Sequence, residues 1–124
     1  MDSDERRQRG LDVLKNIGWS NRPALSDMDE TFWSHTVENL FGNIWGRPGL
    51  SLRDRQIVTL AALVALDATD GMKPHLRNCH ALGITIEEVR EIIIQTMYYA
   101  GWPRGAHAIN RFNQILKEPG SGWK

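Results

Sequence analysis

The chain has 124 residues, with 15 lysines and arginines against 15 aspartates and glutamates and a single cysteine, Cys79. That is about one domain's length of chain, and the balanced charge argues against a basic nucleic-acid footprint and a polybasic membrane-surface segment. One cysteine excludes an intrachain disulfide and any CxxC pair.

Taken in chain order, the hydrophobic periodicity is helical nearly throughout. The first segment, MDSDERRQRG, has no apolar stretch of the kind a signal peptide needs. Residues 3–17 form a predicted surface helix with Leu11, Leu14 and Ile17 on one narrow stripe. Residues 21–25 are a predicted loop, and Ser26 a predicted N-cap with Asp27, Asp29 and Glu30 in the first turn. The helix after it places Phe32, Trp33, Val37, Leu40 and Phe41 at spacings of three or four, and residues 46–49 (GRPG) break it.

Ser51 is the next predicted N-cap, with Asp54 at the capping-box position. Residues 57–66 are apolar on all sides, which predicts a buried central helix, and the run is far short of the roughly 20 residues that span a bilayer. The chain is expected to turn over residues 67–74, with Pro74 in the first turn of a short helix that Gly83 stops. Thr85 and Glu88 form a capping box before a helix through Val89, Ile92, Ile93, Thr96 and Met97, ended by Gly101. Pro103 opens a last helix with Ala106, Ile109, Phe112 and Ile115 or Leu116 on one side, and residues 119–123 (PGSGW) read as a frayed tail. The expectation is an all-α, single-domain bundle of about six helices, soluble and cytoplasmic.

Three segments then stand out together: FGNIWGRPGLSLRDRQIVTLAALVAL at 41–66, HLRNCHALGITIEEVREIIIQ at 75–95, and YYAGWPRGAHA at 98–108. In order and spacing they resemble the carboxymuconolactone decarboxylase family, over roughly residues 8–117. The resemblance implies an all-helical fold shared with the alkyl hydroperoxidase D proteins, and assembly into homo-oligomers, trimers or hexamers. In the peroxidase branch a CxxC motif precedes a histidine; His75 matches that histidine, and Ala68 and Gly71 stand where the thiols would be. Gln56 stands where that branch has an acid. Disulfide-based peroxidase chemistry is thereby unavailable, and the resemblance points to the decarboxylase branch.

A decarboxylase must hold the departing carboxylate, let its electrons flow into a carbonyl or conjugated system, and return a proton to carbon. No metal or organic cofactor is needed where the small-molecule carboxylic acid brings its own electron sink. His75 is the candidate acid/base, since imidazole titrates near neutrality and a helix start would depress its pKa. The competing reading is a solvent-facing or buried, satisfied histidine. Arg47, Arg53 and Arg55 bracket the GRPGLSLRDR segment, and Arg47 or Arg55 is a candidate carboxylate holder, with a solvent-facing or intersubunit ion pair as the alternative. Trp45, Tyr98, Tyr99 and Trp102 would line an apolar pocket or pack in a core or interface. The Tyr99 hydroxyl is a candidate donor to a developing enolate, against a purely structural bond. His107, after Gly105, would enter the pocket or pack, and His35 is expected to pack. His75 and Cys79 share a helix face, but His80 points away, so no metal site is expected. Cys79, mid-helix, reads as a small buried hydrophobe.

The leading expectation is a carboxy-lyase acting on 4-carboxymuconolactone or a related lactone or β-keto acid. The alternatives are a decarboxylase of a larger aromatic or polyketide acid, a redox protein using Cys79 alone, and a non-catalytic oligomeric homologue.

Overall fold

A computed structural model describes residues 1–19 and 29–123, and among these every regular element is helical. They divide into two compact units, Met1–Leu52 and Arg53–Lys124.

In the first unit, α1 (Ser3–Asn16) starts from Asp2, whose carboxylate accepts the Glu5 N–H at 2.8 Å. Asp4 and Glu5 in its first turn and Lys15 in its last suit the helix dipole. Its buried face is Gly10, Val13 and Leu14, continued by Ile17; Leu11, expected on that stripe, is exposed. The next helix, α2 (Glu30–His35), is capped by Asp29, which accepts the Phe32 N–H at 2.8 Å. Ser26, Asp27 and the loop at 21–25 lie outside the described residues, so the cap that is seen is the acid three residues beyond Ser26.

From α2 the chain continues into a π-helix, Thr36–Trp45, a wider register that the sequence did not predict. The buried hydrophobic side chains come at every fourth residue, Trp33, Val37, Phe41 and Trp45, with Thr36 buried beside them, while Phe32 and Leu40 of the predicted stripe are exposed. A Cβ on Gly10 would lie 2.0 Å from the Val37 carbonyl oxygen, and one on Gly42 would lie 2.2 Å from that of Arg6. Hydrogen atoms at these two positions are what let α1 and the π-helix touch backbone to backbone.

The second unit is built on α3 (Leu52–Ala65), α4 (Thr69–Asn78), a 3₁₀ turn (Cys79–Leu82), α5 (Ile86–Ala100) and α6 (Trp102–Leu116). Its core gathers Leu60, Val64, Met72, Leu76, Cys79, Ile84, Val89, Ile93, Ala108, Phe112 and Ile115. The all-round burial expected for residues 57–66 is not seen: Leu60 and Val64 are sealed, but Val58 and Leu66 are exposed. The predicted turn over 67–74 is also mostly helix, because α4 begins at Thr69 and carries Pro74 in its interior. Pro74 has no N–H for a bond to residue 70, and the helix tolerates that loss near the middle of its ten residues.

The Thr85–Glu88 capping box is present in both directions, at 3.1 Å and 3.0 Å, and Arg53 pairs with the same Glu88 carboxylate. On α6, Phe112 and Ile115 are buried as expected, while ahead of them Gly105 and Ala108 are buried and Ala106 and Ile109 only half-buried. The tail is not frayed. Trp123 Nε1 donates to the Leu76 carbonyl at 3.0 Å, and its ring meets Phe112 and His80 edge-on at 5.3 Å and 5.2 Å. Arg77 holds Glu118 through two bonds of 3.0 Å and 3.1 Å just before that tail.

Candidate active site

His75 is the seventh of the ten residues of α4, not near the start of a helix as expected. The residue is 7% exposed. Burial holds its pKa down at about 4, and this, rather than a helix N-terminus, is the cause. The ring's Nδ1 lies 3.1 Å from Oε1 of Gln56, on α3. Gln56 is 2% exposed, and its amide nitrogen reaches the His75 carbonyl at 3.2 Å and Cys79 Sγ at 3.4 Å. Burial pushes the Cys79 thiol up to about 11, with the Gln56 bond working the other way. A single-cysteine redox centre needs a stabilised thiolate, so the environment of Cys79 runs against that alternative.

The second grouping lies where α4 begins. His107 on α6 donates from Nδ1 to Asp67 Oδ1 at 2.9 Å, and Asp67 has a left-handed backbone with φ of 54°. Asp67, Thr69, His107, Asn110 and Arg111 line a depression of about 210 Å³. Thr69 and His75 are six residues apart on one helix, about 9 Å along its axis. Neither Gln56, Asp67 nor Arg111 was selected as a site residue from the sequence. Their partners are 19 and 40 positions away or on another helix, and periodicity carries no signal over such separations.

The remaining candidates lie on several different elements. Arg55 is half-buried on α3, next in sequence to Gln56. Tyr99 and Trp102 stand 87% and 69% exposed, and Tyr98 beside them is exposed as well. In the first unit, Arg47 is exposed just past the π-helix, while Trp45 is buried with its ring 5.7 Å from Phe41. His35 is exposed and accepts from Asn39 at 3.0 Å rather than packing in a core. Among the described residues no three His, Cys, Asp or Glu side chains gather closely enough to hold a metal ion.

The carboxymuconolactone decarboxylase family profile matches residues 33–114. The chain belongs to the carboxymuconolactone decarboxylase family. It is 32% identical to the 4-carboxymuconolactone decarboxylase of Acinetobacter baylyi, over 97% of this chain and 93% of that protein. It is 29% identical to the nitrosuccinic acid decarboxylase of Metarhizium robertsii over 73% of this chain, and the match spans only 58% of the fungal protein. The all-helical expectation from the family holds. With two decarboxylases as relatives, one matched nearly end to end, the chain is a carboxy-lyase. Among the described residues no helix is long and apolar enough to cross a membrane.

Proposed function

We propose that this carboxymuconolactone decarboxylase family member removes carbon dioxide from 4-carboxymuconolactone or a related lactone or β-keto acid without a cofactor, and that His75 supplies the proton that replaces the carboxylate. The observation that carries the reading is the buried imidazole held by Gln56, in a chain matched along 97% of its length to a named decarboxylase.

The chemistry balances with one proton. The bond between carbon and carboxylate breaks, carbon dioxide leaves, and the electron pair moves through the conjugated double bond onto the lactone carbonyl oxygen. A proton then adds to carbon as the carbonyl re-forms. A ring whose pKa is pushed down to about 4 is neutral at pH 7, and its protonated form is a strong donor. The negative charge of the bound acid draws a proton onto that ring, so binding takes up a proton from solvent. Arg55 holds the departing carboxylate, and His107, beside Arg111 at the depression, binds the far end of the acid.

Tyr99 as donor to the enolate oxygen and Trp102 as a wall complete the proposed set, while the buried ring of Trp45 packs on Phe41 within the first unit. Tyr98, Tyr99 and Trp102 are too exposed in one subunit to enclose anything. Their exposure supports assembly of several copies, a trimer or hexamer, in which a neighbour covers them. A second substrate reading comes from the fungal relative. Nitrosuccinic acid also carries an electron sink next to the carbon that loses a carboxylate, here a nitro group.

Carbon dioxide release is to be measured from 4-carboxymuconolactone, nitrosuccinic acid and a simple β-keto acid. Turnover of the lactone faster than of the other two is expected. Release from none of the three overturns the reading.

A further inference from the structure

The geometry points to Gln56 as a positioning residue that keeps the proton of the neutral His75 ring on Nδ1, and so makes Nε2 the nitrogen that exchanges a proton with the substrate. The inference rests on the proposed role of His75, but its structural part stands without it.

The argument is one of donors and acceptors. A backbone carbonyl only accepts, so the Gln56 atom 3.2 Å from the His75 carbonyl oxygen must be the NH₂. The opposite flip would set two oxygens against each other at that distance, inside a site where Gln56 is 2% exposed. Cys79 Sγ, at 3.4 Å from the same nitrogen, takes a second amide hydrogen. With the amide so fixed, Oε1 faces His75 Nδ1 at 3.1 Å. An amide oxygen also only accepts, so Nδ1 must carry the hydrogen. In a neutral imidazole that leaves the lone pair on Nε2.

One amide thus reads both the main chain and the ring of the same residue, across 19 positions of sequence. A carboxylate at this position would behave differently. It would accept from Nδ1 but offer no hydrogen to the carbonyl or the sulfur, and its charge would stabilise the imidazolium. The neutral amide orients the ring without strengthening its hold on a proton, which suits a residue that must give the proton up.

The test uses imidazole nitrogen NMR on the full chain without substrate, for the native protein, Gln56→Glu and Gln56→Met. The native ring is expected to show Nδ1–H with Nε2 unprotonated. Gln56→Glu should keep that tautomer and move the protonation midpoint of His75 to higher pH. Gln56→Met, of similar bulk but without an acceptor, should lose the single tautomer and lower kcat about 10- to 100-fold with a smaller change in KM. Unchanged helical circular dichroism in each variant shows that the fold survives. A native ring protonated on Nε2, or a Gln56→Met ring still wholly Nδ1–H, overturns the inference. Decarboxylation unaffected by His75→Gln overturns the proton-donor role and the catalytic meaning of the clamp, while the tautomer result still reads the clamp itself.

Discussion

At the scale of single residues, His75 should link stability to pH. Its folded pKa of about 4 lies below the ordinary 6.5, so the unfolded chain binds a proton that the folded chain refuses. Stability from this residue is therefore complete above pH 6.5 and falls as pH drops toward 4, by about 3 kcal/mol in all. The Gln56 amide and the Cys79 thiol that share its hydrogen-bonded cluster are neutral over that range, so they do not mask it. Urea unfolding of the native protein and His75→Gln at pH 7.5 and pH 5 checks this. The loss between the two pH values should shrink in the variant; an equal loss contradicts the burial argument.

Cys79 offers a second residue-scale check. With its thiol pushed up to about 11 and its side chain buried, it should resist iodoacetamide at pH 8 until the chain is unfolded. Rapid alkylation of the native protein would restore the single-cysteine redox alternative. His75 could be singled out from its place in the family resemblance, but its surroundings could not. The sequence reading put it near a helix start, and it lies six residues into a helix that begins earlier than expected. Gln56 was visible only as a departure from an acid, and Asp67 only as part of a turn, because both act through partners that the fold brings from far along the chain.

At the scale of elements, local rules were legible where they are local. The Thr85–Glu88 box is a four-residue signal and is formed as written, with the Thr85 backbone N–H holding the Glu88 carboxyl below its ordinary pKa. Thr85→Ala should cost about 1 kcal/mol, read as a lowered urea midpoint with an unchanged slope. The π-helix was not legible, because the spacing of Val37, Phe41 and Trp45 is also compatible with an α-helix. What distinguishes the element is its backbone contact with α1 at Gly10 and Gly42. Gly10→Ala would force a methyl into the Val37 carbonyl, so it should destabilise the first unit by several kcal/mol even though alanine favours helices. Any stabilisation on that substitution would contradict the close approach. The interior Pro74 departs from the expected first-turn position for a related reason: a general rule against proline past the first turn yields to the packing of Met72, Leu76 and Cys79.

At the scale of the whole molecule, helix content and family were both legible, since each depends on patterns spread over more than a hundred residues. The tail was not. Gly and Ser around position 121 suggested fraying, yet Trp123 closes over Leu76, His80 and Phe112 of the second unit. Trp123→Ala should lower stability by about 2 kcal/mol through lost packing and one lost hydrogen bond. The claim on which the functional account depends is that the buried imidazole of α4 returns the proton to carbon. The direct measurement is single-turnover release of carbon dioxide from 4-carboxymuconolactone by the native protein and by His75→Gln at pH 7. The account predicts a fall of about 10²- to 10⁴-fold in the variant. Release at the native rate from folded His75→Gln would contradict it.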